Sequence, residues 1–403
     1  MTVNRLNRIR DWQHRYVDQK KYAGSAVLIN RHGAELYYSE VGARNIEEDL
    51  AWTRDTVARI YSMTKPITSA ALMMLVERGL MHLDAPVSDF IPEFKEMRAL
   101  VAGAEHIGQT EASRAPTLHE LLTHTSGLSY PFNPGILAEA MAEADLMFKP
   151  GQGALAPQVR ELAQLPLAFQ PGTRWEYSVS IDVLGRVIEV VSGRTLEDFF
   201  QREIFDPLDM AMTGFQTPEG IGDKFASLYS PLAGDAMALN EAQRGGNPLR
   251  LTDDYHTSPF HRTQMHSGGG GLVGTIDDYM RFAEMIRRKG RANDGFIISP
   301  QTVDFMVRNH LSGDIASMGP QSFAEQPMEG MGFGLGGAVV LDPARARCPG
   351  SPGDFSWGGM ASTFFWVDPV LDLSVVFFTQ LAPSSSYPSR AELKALVHGA
   401  LTD

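Results

Sequence analysis

Cysteine is nearly absent from this sequence: Cys348 is the single one among 403 residues. An intrachain disulfide and a cysteine-rich metal site are therefore excluded. Positive charge is also sparse, because 35 Lys and Arg stand against 48 Asp and Glu, which gives a formal charge of -13. No block of basic residues occurs, so a nucleic-acid partner is disfavoured, since phosphate binding requires clustered basic side chains.

Long apolar runs are missing as well. The N-terminal segment carries charges where a signal peptide needs an apolar stretch, and the longest apolar runs, 70–76 and 374–378, are too short to cross a bilayer. We therefore expect a soluble, cytoplasmic protein without a membrane partner. Hydrophobic residues make up 43% and charged residues 21% of the chain, values that favour a globular fold over a disordered one.

Strand patterns occur at both ends of the chain and helical patterns between them. Residues 25–30 and 34–42 flank a short turn with Gly33 and predict a β-hairpin, preceded by an amphipathic helix over 3–20. Further strands are predicted over 333–341, 362–369 and 373–381. Helices are predicted over 62–78, 117–124, 136–147, 180–192, 195–204 and 275–290, and from about 388 to the end.

This order of elements predicts an α+β fold with a central antiparallel sheet, flanked by helices, and an inserted mainly helical domain. The sheet domain is expected to comprise 1–61 and 270–403. The helical region is then expected to comprise 62–269. It contains the helix predicted to begin near Ser62 and the lid loops. Two polar, weakly periodic segments, 101–116 and 216–262, are predicted to be long surface or lid loops.

Ser62 and Lys65 form the only Ser-x-x-Lys pair in the sequence. Pro66 is tolerated only near the first turn of a helix, so the helix is expected to begin near Ser62 and to end at Gly79. The two side chains then lie one turn apart on the same face. A buried lysine near a helix N-terminus can take the proton that makes a serine nucleophilic. Alternatively, Ser62 is an ordinary N-cap residue and Lys65 is solvated. The pair alone does not decide between the two interpretations.

Five blocks in fixed order extend the pattern. They are Ser62-x-x-Lys65, the block Leu-Leu-Thr-His-Thr-Ser-Gly-Leu at 121–128, Pro171-Gly172 ahead of Trp175-x-Tyr177-Ser178, Gly268 to Gly271 ahead of Leu272, and Trp357-Gly358-Gly359. With these blocks the chain resembles the serine β-lactamase and penicillin-binding-protein superfamily, especially its class C-like members and the family VIII carboxylesterases. The resemblance covers most of the chain and implies that Tyr177 relays protons with Lys65. Alternatively, Tyr177 is a tyrosine of the hydrophobic core without a role in catalysis.

The third motif of the superfamily departs from the β-lactamase form. No Lys is followed by Thr-Gly or Ser-Gly, and Trp357-Gly358-Gly359 stands in that place, as in the esterase branch. The cation expected to hold a β-lactam carboxylate is thus missing, while two glycines let the backbone approach a substrate closely. The resemblance also implies that the amides of Ser62 and Met360 form an oxyanion hole. We expect Trp357 to contact the substrate. Alternatively, it is an aromatic plug at the start of a strand.

The resemblance implies a serine hydrolase for small acyl esters, with a covalent acyl-enzyme on Ser62 and with Lys65 and Tyr177 as general base and acid. It requires no metal and no organic cofactor, and it permits β-lactams as poor substrates. A β-lactamase or D-amino-acid peptidase and an acyltransferase to a small alcohol remain as alternatives. A non-catalytic binding protein of this fold is a further alternative, although a decayed site should have lost one of these three residues. The oligomeric state stays open.

Overall fold

The computed structural model describes residues 3–231, 249–324 and 326–402. Its α-helices are α1 Val3–Asp18, α2 Thr64–Glu77, α3 Leu118–Leu122, α4 Ile136–Glu143, α5 Leu155–Leu162, α6 Ser180–Ser192, α7 Leu196–Phe200, α8 Ile276–Arg287, α9 Pro300–Met306, α10 Ile315–Met318 and α11 Ser389–Ala400. Its strands are β1 Gly24–Arg31, β2 Ala34–Asn45, β3 Leu50–Ala51, β4 Ala58–Arg59, β5 Arg98–Leu100, β6 Thr110–Ala112, β7 Leu228–Ser230, β8 Arg250–Asp253, β9 Val273–Gly274, β10 Arg291–Ala292, β11 Gly295–Phe296, β12 Ser322–Phe323, β13 Gln326–Pro327, β14 Met331–Phe333, β15 Ala338–Val340, β16 Phe355–Gly358, β17 Phe364–Asp368 and β18 Leu373–Thr379.

Both ends of the chain contribute to one sheet. Within the described residues, eight strands pair in the order β14-β15-β16-β17-β18-β1-β2-β3, and the neighbouring strands are antiparallel. The two ends meet where β1 pairs with β18, with Ser25 opposite Thr379 and Arg31 opposite Leu373. The predicted α+β fold with a central antiparallel sheet is therefore confirmed. The division into domains at residues 61 and 270 stays a prediction.

Helices cover both faces of this sheet. Alternate residues of the central strands point to opposite sides, as the pleat requires. One apolar layer, under α1 and α11, contains Val27, Ile29, Trp366, Val375 and Phe377, and the other, which α8 covers, contains Ala26, Leu28, Phe365, Val376 and Phe378. Because both faces are covered, β18 is buried along its whole length, which explains its continuous apolar sequence.

The N-terminal and C-terminal helices pack on each other as well as on the sheet. Buried Trp12 of α1 donates its indole N–H to Glu392 Oε2 of α11 at 2.7 Å, and the hydroxyl of Tyr16 donates to the same oxygen at 2.9 Å. The ring of Trp12 also lies 5.5 Å from that of Phe377 in the sheet. This contact joins three elements that are far apart in the sequence.

The strand prediction is wrong in two places. Residues 333–341 do not form one strand, because the chain reverses between β14 and β15, where four residues from Gly334 to Gly337 include three glycines and Gly336 has a φ of +89°. A strand over 355–358 is not predicted from the sequence, yet β16 forms there. Trp357 and Gly358 therefore lie inside a strand rather than ahead of one.

The helix bounds differ in smaller ways. The α-helical part of the predicted 62–78 begins at Thr64, after a 3-10 turn over Tyr61–Met63, and the predicted 136–147 ends at Glu143. After α7, the predicted 195–204 continues as a π-helical turn over Gln201–Phe205. No helix is predicted from the sequence over α5, which contains Pro157. The structure tolerates this proline because it lies in the first turn.

The two predicted loops contain short strands. Segment 101–116 includes β6, which pairs with β5, and segment 216–262 includes β7 and β8, which pair with each other. Residues 232–248 of the second segment lie outside the described residues. The sequence predicts irregular structure in both segments because their apolar periodicity is low. Strands of three or four residues are too short to show a detectable pattern.

Among the described helices, none combines the length and the apolar character that crossing a bilayer would require. The cytoplasmic location stays a prediction.

Trp12→Ala is expected to lower the free energy of unfolding by about 3–5 kcal/mol, because it removes a fully buried aromatic side chain and leaves a cavity between α1, α11 and the sheet. Urea unfolding followed by circular dichroism measures this loss. Arg8→Ala, on the exposed side of the same helix, is the control and should change stability by about 0.5 kcal/mol or less. Equal losses in the two variants would contradict the packing described for α1.

Candidate active site

Ser62 lies in the 3-10 turn that leads into α2, and two strands fix this turn. Ala58 pairs with Gly274 and Arg59 with Val273, and the amide of Ile60 donates to the carbonyl of Leu272 at 3.1 Å. The helix that follows is buried from Thr64 to Leu75. An apolar helix in the protein interior therefore carries the serine at its entrance, as the sequence predicts.

The residue before the serine has an unusual backbone. Tyr61 has a φ of +42°, in the left-handed region that a side chain other than glycine rarely adopts. Surrounding contacts hold it there: the amide of Met63 donates to the carbonyl of Ile60, and the ring of Tyr61 packs edge-on against Phe260. Such strain is found where a fold fixes a functional side chain. Here it turns the Ser62 side chain into a cavity.

The structure brings the three predicted reactive groups together. The hydroxyl of Tyr177 donates to Ser62 Oγ at 2.6 Å, and Lys65 Nζ lies 3.4 Å from the same oxygen. Lys65 is fully buried and Tyr177 is 6% exposed. Lys65 Nζ also lies 4.6 Å from the centre of the Tyr177 ring. A hydroxyl, an amine and a phenol thus share one site.

Two further groups hold the amine. Lys65 Nζ donates to the carbonyl oxygen of Gly269 at 2.7 Å and to the hydroxyl of Tyr130 at 2.9 Å. Burial raises the pKa of Tyr130 well above its usual range, and Tyr177 and Asp182 act in the same direction. Tyr130 is therefore a neutral phenol at physiological pH. It orients Lys65 without competing with it as a base.

A buried carboxyl holds the loop that binds the lysine. Asp182, on α6, accepts hydrogen bonds from the amide of Gly269 at 3.0 Å and from the hydroxyl of Ser267. Burial raises the pKa of Asp182, although the charge of Lys65 opposes this rise. A Cβ at Gly269 would collide with this carboxyl, so only glycine fits here. The close contact fixes the Gly269 carbonyl that faces Lys65.

A buried histidine supports the other side of the site. The ring of His124 lies 4.9 Å from that of Tyr177, and its Nδ1 is within hydrogen-bond distance of both the hydroxyl and the amide of Ser178. Burial lowers the pKa of His124 well below its usual range, and the charge of Lys65 adds to this shift. His124 is therefore neutral, and it packs against the phenol without adding a second positive charge.

The turn between β16 and β17 faces Ser62. The amide of Gly359 donates to the carbonyl of Thr363 at 2.9 Å, and the amide of Ser362 donates to the carbonyl of Gly359 at 3.0 Å. A Cβ at Gly359 would collide with the carbonyl oxygen of Ile60. This close approach brings the turn against the strand that leads to Ser62, so Met360 lies at the same cavity as the serine.

The cavity has a volume of about 430 Å³ and its wall is mainly apolar. Ser62, Tyr177, Trp357, Gly358, Gly359 and Met360 all line it, and their roles in catalysis and substrate binding stay predictions. The ring of Trp357 packs on Tyr177 at 5.5 Å and on Phe323 at 5.8 Å, so it fills space at the end of β16 as well as facing the cavity. The packing contacts fit the aromatic plug, and contact with the substrate stays a prediction.

Sequence reasoning missed the roles of three residues at the site: Tyr130, Asp182 and Gly269. Tyr130 lies two residues after the block 121–128 and Gly269 lies within the block 268–271, and these positions are the only sequence signals for them. Nothing in the spacing of these residues indicates that they meet Lys65, because the contacts join segments that only the tertiary fold brings together.

Comparison with known proteins gives the family. The family model described as Beta-lactamase matches residues 9–399. Esterase EstB of Burkholderia gladioli is 34% identical over 373 residues, which cover 90% of this chain and 87% of that protein. Lovastatin esterase of Penicillium rubens is 31% identical over 370 residues, with 87% of both proteins covered.

A solved structure agrees with these relatives. The structure of EstCE1, described as a hydrolase with promiscuous acyltransferase activity, superposes with a TM-score of 0.76 at 30% sequence identity and covers 98% of both chains. The matching family model, the shared fold and the similarity along nearly the whole length agree with one another. This chain belongs to the beta-lactamase family, has its class C-like fold and is similar to the family VIII carboxylesterases.

Proposed function

We propose that this protein is a carboxylesterase that cleaves small acyl esters through a covalent acyl-enzyme on Ser62. The observation that carries the proposal is the double contact of Ser62 Oγ, which lies 2.6 Å from the Tyr177 hydroxyl and 3.4 Å from Lys65 Nζ. A serine between a phenol and an amine has one partner to take its proton and another to return it to the leaving group.

The proposed mechanism requires Lys65 to be a neutral amine at the moment when it accepts the serine proton. Such an amine has two N–H donors, for the Gly269 carbonyl and the Tyr130 hydroxyl, and one lone pair, which can accept the proton of Ser62. Tyr177 keeps its own proton and donates a hydrogen bond to Ser62 Oγ.

In the first step, Ser62 Oγ attacks the ester carbonyl carbon while Lys65 accepts the serine proton. The negative charge of the tetrahedral intermediate develops on the former carbonyl oxygen, and the amides of Ser62 and Met360 are proposed to stabilise it. The alcohol then leaves with a proton from Tyr177, and the protonated Lys65 returns a proton to the Tyr177 phenolate, so both groups regain their starting states. Water repeats the sequence on the acyl-enzyme, with the same pair as base and acid, and releases the carboxylic acid.

Esters with apolar groups are the proposed substrates. Aromatic and Met side chains form much of the cavity wall: Phe132, Met147, Phe148, Phe260, Phe323, Met360 and Phe364. Such a surface favours apolar acyl or alcohol groups over charged ones. The relatives named as esterases support this class, and the third motif carries Trp357-Gly358-Gly359 instead of a lysine that would hold a β-lactam carboxylate.

Acyl transfer to a small alcohol is the second candidate. The description of EstCE1 names acyltransferase activity beside hydrolysis, and an apolar cavity wall favours an alcohol with an apolar chain as the acceptor of the acyl group. Analysis of the products formed in the presence of an added alcohol separates transfer from hydrolysis.

Ser62→Ala is expected to abolish covalent labelling by a short-chain p-nitrophenyl ester or an organophosphonate, and to lower kcat by roughly three orders of magnitude or more. Intact-protein mass spectrometry after a brief exposure measures the adduct. Ser384→Ala, which removes a different serine from the same cavity wall, should keep the wild-type adduct. An adduct of unchanged yield on the Ser62 variant would exclude Ser62 as the nucleophile.

The two phenols are expected to differ in effect. Tyr177→Phe removes the group that contacts Ser62 and should lower kcat by about 10²–10⁴-fold. Tyr130→Phe removes one hydrogen bond to Lys65 and should lower kcat by about tenfold. Steady-state kinetics across pH, with thermal unfolding to check folding, compare the two. A larger loss for Tyr130→Phe would reverse the roles assigned here.

The protein is expected to hydrolyse p-nitrophenyl butyrate faster than a chromogenic cephalosporin, in terms of kcat/KM. The expected ratio is roughly 10-fold to 100-fold, because the missing lysine of the third motif corresponds to one charge-assisted hydrogen bond of about 1.5–3 kcal/mol. Parallel spectrophotometric assays on one enzyme preparation measure both values. A higher kcat/KM for the cephalosporin than for the ester would support a β-lactamase instead.

A further inference from the structure

A second group of titratable side chains lies away from the cavity, between the sheet and the C-terminal helix. Asp354 directly precedes β16 and Asp368 ends β17, while Lys394 and His398 lie one turn apart on α11. Both carboxyl groups are fully buried and Lys394 is 3% exposed. The mechanism proposed for Ser62 uses none of these residues, and none of them lines the cavity.

Three of these side chains converge. One potential ligand atom from each of Asp354, Asp368 and His398 lies within 4.8 Å of the other two. Each residue comes from a different element, so their approach is produced by the packing of α11 on the strand ends. A Cβ at Gly350 would stand 3.7 Å from His398 Nε2 and 3.2 Å from an oxygen of Asp354, so a residue without a side chain leaves room beside the group.

Each of the three residues retains one unused polar atom. Asp354 Oδ2 accepts a hydrogen bond from Lys394 Nζ at 2.7 Å, and Asp368 Oδ1 accepts the amides of Val370 and Leu371 at 3.0 Å each. Within the part of the chain that the structure describes, Asp354 Oδ1, Asp368 Oδ2 and His398 Nε2 are buried without a hydrogen-bond partner. Buried polar atoms without partners are costly and are rare in folded proteins.

A cation would satisfy the unused atoms of this group. Carboxylate oxygens and imidazole nitrogens are both metal ligands, so an ion bound among Asp354, Asp368 and His398 would give the three unpartnered atoms a partner.

We propose that Asp354, Asp368 and His398 form a structural binding site for a divalent transition-metal cation, with Zn²⁺ as the best match. One imidazole nitrogen and two carboxylate oxygens form a ligand set that zinc accepts at about 2.0–2.2 Å. Lys394 then acts as an outer partner, because it orients the ligating carboxyl of Asp354 from its other oxygen.

A bound metal would link α11, through His398, to the sheet, through Asp354 and Asp368. The same helix carries Arg390 to the cavity wall, about 12 Å from His398 along the helix axis. The metal has no part in the reaction at Ser62, so this proposal stands or falls independently of the proposed esterase activity.

The test is zinc titration of the full-length protein after removal of metal with a chelator. Competition with a chromogenic zinc indicator gives the affinity, and thermal unfolding gives the shift in Tm. The wild type is expected to bind one equivalent with a clear rise in Tm. Asp368→Asn keeps the Oδ1 acceptor for the two turn amides but loses the ligand oxygen, so affinity should fall by about 10–100-fold. His398→Gln should have the same effect.

Asp342→Asn is the matched control, because Asp342 also accepts backbone amides in a turn, those of Ala344 and Arg345, but lies outside the group. It should bind zinc as the wild type does. Equal affinity in wild type, Asp368→Asn and His398→Gln would mean that zinc binds only to surface histidines and would overturn the proposal. A wild type that binds no equivalent and shows no shift in Tm would also overturn it and would favour a shared proton within the group.

Cobalt substitution provides a readout that does not depend on the stability of the variants. Co²⁺ in the wild-type protein should give the visible absorption of a low-coordinate site with nitrogen and oxygen ligands. Weak absorption identical to that of hydrated cobalt would contradict the assigned ligands even if neither variant folds.

Discussion

The hydrogen bond between Tyr177 and Ser62 is the contact on which the site depends, because it joins two segments that are 115 residues apart. It forms only if the 3-10 turn before α2 places Ser62 at the cavity and the segment before α6 places the phenol opposite. Lys65 completes the group from the next turn of the same helix, with the Gly269 carbonyl and the Tyr130 hydroxyl fixing its amine. Loss of any of these elements would separate the proposed nucleophile from its proton partners.

Burying so many polar groups is costly, and the structure offsets this cost with complete hydrogen bonding around Lys65. Asp182 binds the amide of Gly269 and thereby orients the carbonyl that faces the lysine. His124 stays neutral and packs on Tyr177. These contacts make the site rigid before a substrate arrives, which is the condition for electrostatic stabilisation of a transition state.

The family and the function rest on different evidence. The match over residues 9–399 and the relatives along the chain establish the beta-lactamase family. The proposed preference for esters rests on local chemistry: an apolar cavity wall and a third motif without its lysine. The close approach of Gly359 to Ile60 brings this turn to the cavity that Ser62 lines.

The sequence by itself determined the contacts that follow from helix geometry and from local patterns. Ser62 and Lys65 meet because residues three apart at a helix start are neighbours, and alternating and continuous apolar runs predicted four of the eight strands of the large sheet, β1, β2, β17 and β18. The tertiary structure alone decided that Tyr130 and the Gly269 carbonyl meet the lysine across 65 and 204 residues, and that Asp354, Asp368 and His398 converge. Spacing along the chain carries no information about such contacts, since they depend on how whole helices and strands pack.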